Sequence, residues 1–565
     1  MRRVLAVATL LILAASCGVK EDASPLDVLP ESAFVMCAIA DPAAVVTTID
    51  DYIEQGVPLA GPDLIAKQIY EGAGITHLDS LTAMTGMDVH GTVVFYASGI
   101  NPQTIGGAIA APDPETFWAK TTEWGAGWTD VEAIDGVPVK TFTDGDMTVF
   151  VATYRGLALF AGSRSEISTM MDRIEGRVPG ATLTVAPSTA WMKMDVSMVG
   201  PMASGQLNMY RSQILGGLET EMTGAPMEAM MSNMVVLYLD AIDLFLLETK
   251  DLEYTVTFGP ENIDVNCLTT FVPGSSLAGL LAPVEAVDLL PLLPAGDVGA
   301  SRVSMPPEVT RAAMSAILTA LGGEVNQEYV DFTAQLSANT AFAMYSDGFM
   351  HFTAAYDMPE GADMEDVAGW VGYSLDFSMQ MMQGMPGLSF TAPRDTVIDG
   401  ITYLTYGTSV DPAAMEHLEA GTAPVATGTA EPMEFTVWMA QCGDALVMEM
   451  APEPGLLAGI AGGTFAGETQ AADAYFSAAG SDKEVVFGLD FPAYMTLIAD
   501  MMGDEAGFDS EALSGSSAWM YYTVDLTDQG VVCTSTVDGS DLAEMIGMMA
   551  TSAGAMAGGA GAVQQ

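Results

Sequence analysis

The sequence predicts an α+β fold made of two tandem homologous repeats, each an antiparallel β-meander sheet backed by helices. Short β-rich runs are separated by Asp-Gly turns, helix-start signals stand between them, and the same motifs recur about half a chain later. Half of the residues are apolar and only 16% are charged, so the chain can bury large cores.

The amino terminus resembles a bacterial export signal. Two arginines are followed by an uncharged apolar run, Val4 to Ala15, which has the length of a signal-peptide core and is too short to span a bilayer. The run ends in Ala14-Ala15-Ser16-Cys17, which looks like the lipobox of bacterial lipoproteins, although Ala14 stands where leucine is usual. We expect a signal peptide at 1–16 and lipidation of Cys17; the alternative is an ordinary secretory signal with an incidental cysteine.

Residues 17–27 are small and polar, as a tether would be. Position 18 is a glycine and not the aspartate that favours the retention of lipoproteins at the inner membrane. We therefore expect a protein of the cell envelope, lipid-anchored in the outer membrane and facing the periplasm or the cell surface. The most apolar later segments, Val235–Leu247 and Leu277–Leu293, contain acids or prolines and are predicted as buried core.

The charge is strongly acidic, with 73 Asp and Glu against 17 Lys and Arg and a net charge of −56. Such a field repels nucleic acid, so we expect no nucleic-acid partner. Cations and basic proteins stay open as partners. The acids are dispersed, which is typical of a solvated surface.

Four cysteines follow Cys17, namely Cys37, Cys267, Cys442 and Cys533. They are far apart and form no Cys-x-x-Cys pair, which disfavours a zinc or redox motif. We expect buried thiols, and one long-range disulfide stays open.

The repeats are inferred from motifs that recur in the same order. Leu29-Pro30 recurs as Leu293-Pro294, Ile134-Asp135-Gly136 as Ile398-Asp399-Gly400, Tyr254-Thr255-Val256 as Tyr522-Thr523-Val524, and Cys267 as Cys533. We predict repeat domains at 28–286 and 287–550, and a disordered Ala-Gly tail at 551–565.

Each repeat contains local start and stop signals. Asp41-Pro42 supplies a helix cap and a first-turn proline, Asp113-Pro114-Glu115 starts another helix, and Pro306-Pro307-Glu308 stands at the corresponding place of the second repeat. Ser163-x-x-Glu166 is a capping box before a helix with Ile167, Met170, Met171 and Ile174 on one face. Strands are predicted at 137–143, 147–153 and 156–161, and closing strand pairs at 253–258 with 263–271 and 519–526 with 530–537.

This arrangement resembles a family of uncharacterised exported bacterial proteins, classed as a domain of unknown function. Its members have an opening Leu-Pro strand, a central strand-turn-strand ending near Gly-Ser, and a later strand ending in Asp. The matching residues here are Leu29-Pro30, Leu157–Ser163 and Met192–Asp195. The resemblance implies no known activity and no catalytic residues.

Signatures of catalysis are missing from the sequence. There is no Gly-x-Ser-x-Gly elbow, no phosphate-binding loop and no His-Glu-x-x-His pair. The histidines are His77, His90, His351 and His417, and no two of them stand at helical spacing. We expect no enzyme and nominate no catalytic, cofactor-binding or metal-binding residues.

Methionine is abundant, with 40 residues. Met379, Met382 and Met385 have the spacing of a thioether Cu(I) site, and the favoured alternative is ordinary core filler. A third reading is that Met-rich helices line a groove for lipid.

These observations leave three functional hypotheses. The first is a non-enzymatic envelope lipoprotein that serves as a binding or structural platform. The second is a carrier of lipid or another hydrophobic ligand, which requires an apolar cavity of roughly several hundred Å³. The third is an undetected hydrolase, which requires a polar cluster in a cleft.

Overall fold

The computed structural model describes residues 23–56, 78–99, 101–124, 128–144, 147–221, 228–287, 289–293, 298–320, 325–346, 350–381, 388–410, 433–451, 453–461, 483–502 and 518–543. The chain divides into two compact units. The first comprises Met1–Glu54, Pro58–Asp195 and Glu253–Pro260, and the second comprises Gln55–Val57, Val196–Leu252 and Glu261–Gln565. This division follows packing, whereas the predicted repeat boundary at 286/287 concerns sequence similarity and stays a prediction.

The elements up to Asp195 are mostly strands. In chain order they are β1 (Val35–Ile39), α1 (Pro42–Gly56), α2 (Leu78–Thr85), β2 (Val93–Ala97), β3 (Ile105–Ala110), α3 (Pro114–Trp124), β4 (Thr129–Ile134), β5 (Val137–Asp144), β6 (Met147–Tyr154), β7 (Leu157–Ala161), α4 (Arg164–Ile174) and β8 (Thr189–Asp195).

Two long helices and a pair of strands follow. These are α5 (Val196–Glu221), α6 (Glu228–Glu248), β9 (Thr249–Phe258), β10 (Asn262–Phe271) and the short α7 (Ser276–Leu280).

The remaining elements are β11 (Gly299–Ser304), α8 (Pro307–Ala320), α9 (Gln327–Leu336), β12 (Asn339–Ser346), β13 (Met350–Asp357), α10 (Met364–Met381), β14 (Leu388–Phe390), β15 (Arg394–Ile398), β16 (Ile401–Val410), β17 (Met433–Cys442), β18 (Ala445–Ala451), α11 (Gly455–Ala461), β19 (Val485–Asp490), α12 (Phe491–Met502), β20 (Trp519–Thr527) and β21 (Gly530–Asp538).

The sheet of the first unit is antiparallel, with the strand order β8-β1-β2-β3-β7-β6-β5-β4. One of its faces packs against α4 and the segment around Val28 and Leu29, which form a core with Tyr96, Leu159 and Met170. The sheet alternation places the next residue of each strand on the opposite face. That second face holds the candidate site.

The sheet of the second unit has the order β10-β21-β20-β19-β11-β12-β13-β18-β17-β16-β15, again antiparallel, and β14 also pairs with β16. One core cluster contains Leu293, Tyr403 and Val447, and another contains Leu336, Val371 and Leu446.

The two units repeat the same pairing pattern. Val35 of β1 lies opposite Ala97 and Met194, as Gly299 of β11 lies opposite Met344 and Leu489. From there the order β2-β3-β7-β6-β5-β4 corresponds to β12-β13-β18-β17-β16-β15. The α+β class with antiparallel sheets and helices is confirmed. An origin by duplication stays a prediction.

Local signals in the sequence fix several of these elements. Helices begin at Pro42, Pro114 and Pro307, as predicted. The Ser163 side chain accepts a hydrogen bond from the backbone N–H of Glu166 at 3.2 Å and caps α4. Its predicted apolar face is confirmed, because Ile167, Met170 and Met171 are buried.

The predicted hairpin turns are confirmed at two corresponding places. Asp135-Gly136 joins β4 to β5 with φ of 50° and 82°, and Asp399-Gly400 joins β15 to β16 with φ of 50° and 85°. Positive φ at both central residues defines the turn that matches the twist of a hairpin, and Asp-Gly tolerates it best.

The prediction of two apolar runs as buried core is wrong for much of their length. In Leu277–Leu293, Leu289, Leu290 and Leu293 are buried, whereas residues 277–287 are partly or fully exposed. The apolar run Val235–Leu247 lies in α6, but Tyr238, Phe245 and Leu247 are exposed rather than core. The reason is that α6 packs mainly against α5 and α8, which leave part of its circumference uncovered. None of the helices in the described ranges combines the length and hydropathy of a membrane span.

Candidate functional site: an apolar pocket

The candidate site is a pocket of about 630 Å³ on the second face of the first unit's sheet. Strands β2, β3, β7 and β6 form its floor. The described residues that line it are apolar apart from one threonine; they are Met87, Val93, Val94, Phe95, Pro102, Ile105, Gly106, Gly107, Ala108, Ile109, Thr148, Val149, Phe160, Ala161 and Gly162. The volume lies within the range of about 300–1,000 Å³ that is usual for small-molecule sites.

The floor of the pocket contains a double glycine, Gly106-Gly107, in β3. Gly107 lies opposite Phe95 on β2 and Phe160 on β7, so the floor between two aromatic rings is backbone. Gly106 faces the other way, where a Cβ would approach the ring of Tyr96 to 2.4 Å. The two glycines avoid different contacts: a Cβ on Gly106 would meet the Tyr96 ring in the core, and a Cβ on Gly107 would come within 2.8 Å of the backbone oxygen of Val94.

Helix α3 covers one end of this face. Phe117 of α3 is buried with Val151 and Ala158, and its ring meets the edge of the Phe160 ring at a centroid distance of 6.2 Å. The Nε1 of Trp118 donates a hydrogen bond to Oγ1 of Thr153 at 3.1 Å and fixes the helix to β6. Phe95, at the other end, keeps 46% of its surface exposed.

The chemistry of the pocket is simple, because none of the described residues that line it carries a charged side chain. Among them, Thr148 alone has a side-chain hydroxyl. Burying an unpaired charge in such surroundings is strongly unfavourable, whereas burying apolar surface is favourable. The arrangement can hold an apolar group and offers neither a nucleophile–base pair nor a set of metal ligands.

A buried polar network lies on the opposite face of the same strands. The Tyr96 hydroxyl donates a hydrogen bond to Glu166, and the Arg173 guanidinium donates to both Tyr96 and Glu166, at 2.7 and 3.2 Å. Arg173 also donates to the backbone oxygen of Val28 at 3.1 Å. Burial raises the pKa of Tyr96. The network fixes α4 and the Val28 segment on the sheet.

The residues named from the sequence lie elsewhere. Cys17, His77 and His417 fall outside the described residues, as do Met382 and Met385, while Met379 is exposed. His90 lies at the surface beside Asp41, and His351 stacks on Tyr345. Within the described ranges, no three His, Cys, Asp or Glu side chains are grouped as metal ligands would be.

A second apolar surface lies on the helical hairpin of α5 and α6. Among the residues of this hairpin whose side chains the structure describes, ten large apolar ones are exposed: Met198, Met202, Met209, Tyr210, Ile214, Met234, Tyr238, Leu244, Phe245 and Leu247. The stretch Val196–Leu218 contains no acid, although the chain as a whole has 73. Arg211 pairs with Asp240 across the hairpin at 2.7 Å.

Comparison with known proteins gives little. No family model and no curated protein matches this chain. Crystal form IV of TP0453 matches with a TM-score of 0.24 and 11% identity, over 44% of this chain and 81% of that chain. Form III has a TM-score of 0.24 and 10% identity over the same shares, and form I has 0.23 and 11% over 44% and 80%. Such low values assign nothing to this chain.

Proposed function

We propose that this protein is a non-enzymatic, lipid-anchored protein of the cell envelope that holds an acyl chain, or a similar hydrophobic group, in the pocket of its first unit. The observation that carries the proposal is the pocket of about 630 Å³ between Phe95 and Phe160, whose described lining residues carry no charge. The lipobox-like sequence around Cys17 supports the envelope location.

The ligand class follows from the lining. Aromatic and aliphatic side chains with a backbone floor recognise apolar surface and shape, and they give no partner for a buried charge. The acidic surface repels anions in bulk solution. A neutral or headgroup-exposed acyl chain satisfies both conditions.

A chain-length series tests the carrier function. The affinity of straight-chain alcohols is measured by their displacement of the neutral probe N-phenyl-1-naphthylamine. It should rise about fourfold per added methylene, because each buried methylene contributes about 0.8 kcal/mol. The affinity should stop rising once the pocket is full. An affinity that follows the alcohol's hydrophobicity without a plateau would indicate unspecific surface binding and contradict the proposal.

The anchor is tested separately. The Cys17→Ser variant should move from the detergent phase to the aqueous phase in a detergent phase-separation experiment, whereas Cys37→Ser should behave as wild type. Continued partitioning of Cys17→Ser into detergent would refute the lipid anchor. The alcohol series can be repeated on the Cys17→Ser protein, so the two parts of the proposal fail independently.

The exposed apolar side chains of the helical hairpin of α5 and α6 favour a second function, contact with a neutral bilayer surface. In α6, Met234, Tyr238 and Phe245 follow the spacing of one helix face, and Asp240 and Asp243 lie on the opposite side at about 3.6 residues per turn. An exposed apolar stripe without acids can enter the interface of a zwitterionic membrane, where exposed acids would oppose insertion.

Vesicle flotation tests this second function. The Cys17→Ser protein should float with phosphatidylcholine vesicles, and Met209→Asp/Tyr238→Asp should abolish flotation, since these side chains are 65% and 68% exposed. Val397→Asp is the matched control, because Val397 is 65% exposed on β15. Sedimentation of the protein without vesicles shows whether the same surface instead joins two copies of the chain. A dimer formed through this surface would contradict the proposed bilayer contact.

A further inference from the structure

Two cysteines lie directly opposite each other in the sheet of the second unit. Strands β10 and β21 pair antiparallel from Asn262 opposite Asp538 to Thr269 opposite Val531, and Cys267 stands opposite Cys533 in this register. Both are free thiols in the structure and both are half-buried. In the sequence, the same two cysteines stand at equivalent positions of the two predicted repeats.

The register brings the two thiols within bonding reach. Directly opposed residues of an antiparallel pair have Cα atoms about 4.5–5.5 Å apart and side chains on the same face. Disulfides bridge Cα distances of about 4.4–6.8 Å. No large backbone movement is therefore needed to join the two sulfur atoms.

The other two described cysteines have no such neighbour in their strands. Cys37 of β1 lies opposite Phe95 and Met192, and Cys442 of β17 lies opposite Ala445. Within the strand registers of the described residues, the Cys267–Cys533 pair alone sets cysteine against cysteine. This selects one disulfide from the several that the sequence left open.

We propose that Cys267 and Cys533 form a cross-strand disulfide once the chain reaches an oxidising compartment. The compartment rests on the export that is part of the proposed function; the pairing itself rests on the register. The bond would tie β10 to β21 and close a loop that spans almost half of the chain, which restricts the unfolded state strongly.

The chemistry is thiol–disulfide exchange with an incoming disulfide, such as an oxidised dithiol oxidoreductase. The thiolate of one cysteine attacks a sulfur of the incoming disulfide, and a mixed disulfide forms while one thiolate leaves. The second cysteine then attacks its neighbour's sulfur and displaces the other thiolate. Two protons are released from the cysteines, and their two electrons reduce the incoming disulfide. Burial raises the pKa of Cys533, so the exchange should speed up as the pH rises.

Glutathione buffers and mass spectrometry test the pairing on the purified full chain. Reduced protein is equilibrated with oxidised glutathione, alkylated with iodoacetamide while native, digested without reductant and mapped. We expect one linked peptide pair containing Cys267 and Cys533, with loss of two hydrogen atoms, and alkylated Cys37 and Cys442. Cys37→Ser/Cys442→Ser should give the same linked pair. Alkylation of Cys267 and Cys533 after oxidation, or linkage of either to another cysteine, would overturn the proposal.

A second arm separates the pairing from the export. Thiols are trapped in intact cells by acid quenching followed by alkylation. We expect the linked pair to be present before lysis. A pair that closes in glutathione buffer but is found reduced in cells would overturn the oxidising location, and with it the envelope part of the proposed function, while the register-based pairing would stand.

Discussion

The pocket face of the first unit and the corresponding face of the second unit have the same strand order but different contents. In the second unit, Val367 and Val371 of α10 and Leu336 of α9 form a buried core with Met439 and Leu446 on this face. In the first unit, the described residues cover the corresponding face at one end, where α3 packs, and leave the space of the pocket beside it. One sheet pattern thus supports a packed core in one place and a ligand-sized space in the other.

Side-chain size explains part of the difference. When the strand registers of the two units are compared, Ile105 stands at the position of Phe352, Ile109 at that of Tyr356, and Ala158 at that of Leu446. By the same registers, Gly107 corresponds to Ala354 and the position of Gly162 to Met450. The residues of the first unit are smaller at each of these positions. Because interiors are close-packed, such differences add up to a cavity unless a neighbour moves in.

The described helices on the two faces also differ in length. Helix α10 has 18 residues and α3, at the corresponding place in the chain, has 11. At about 1.5 Å per residue, the shorter helix covers roughly 16 Å against 27 Å. Among the described residues, smaller side chains at these positions and a shorter helix accompany the pocket in the first unit.

The largest effect should come from giving the second unit a residue of the first. Leu446 is fully buried, and Leu446→Ala, which copies Ala158, should lower the free energy of unfolding by about 2–5 kcal/mol through lost contacts and a cavity. Denaturant unfolding followed by tryptophan fluorescence measures this. Exposed Val397→Ala is the control and should change it by less than about 0.5 kcal/mol. A small loss of stability for Leu446→Ala would mean that neighbouring side chains move into the space. The packed core would then not distinguish the second unit from the first.

The next effect should come from the reverse exchange. Ile105→Phe/Ile109→Tyr gives the pocket the larger residues of the second unit and should weaken N-phenyl-1-naphthylamine binding at least about tenfold, which corresponds to about 1.4 kcal/mol. Phe352→Ile/Tyr356→Ile changes the same residue types in the second unit and should leave that binding unchanged. Equal losses in both double variants would place the binding site outside the pocket.

The smallest effect concerns the turns that end the corresponding β6–β7 and β17–β18 hairpins. In the first unit, the Glu175 carboxylate accepts hydrogen bonds from the Tyr154 hydroxyl and from Arg155. The Tyr154 bond first, and Arg155 second, lower the pKa of Glu175, while the Glu175 bond and burial raise the pKa of Tyr154 to about 12. The other turn has Gly443 at the place of Arg155.

Because the pKa of Glu175 is lowered in the folded state, its stabilisation is complete above the ordinary value of about 4.3 and is lost as the pH falls through the lowered value. Glu175→Gln should therefore be less stable than wild type at pH 7, and the difference should shrink in acid. Denaturant midpoints across this pH range measure it, with exposed Glu360→Gln as the control. A difference that is independent of pH would show that Glu175 acts through packing and not through its charge.

Local features of this fold could be predicted from sequence, because their physical causes are local. Asp41-Pro42 and Ser163 supply capping groups within a few residues of the helix they start, and Asp135-Gly136 and Asp399-Gly400 tolerate the backbone that a tight hairpin needs. The α+β class followed from these signals.

The pocket could not be predicted in the same way. It depends on which strands become neighbours and on how far α3 reaches, and both are tertiary properties. Gly106-Gly107 inside a β-rich run was the one available signal, since glycine in a strand often marks close approach or missing packing. Likewise, the apolar sequence of α6 indicated burial, whereas its exposure depends on what packs beside it.

The pocket shares its strands with the main core of the first unit, and this has a thermodynamic consequence. Val94 and Ala108 face the core while Phe95 and Gly107 face the pocket, one residue away on the same strands. A ligand that binds the folded sheet and not the unfolded chain raises the free energy of unfolding by RT ln(1 + [L]/Kd), about 2.7 kcal/mol at a hundredfold excess over Kd. Occupancy and the folding equilibrium of this unit are therefore linked functions, and the empty form should be the one most exposed to proteolysis.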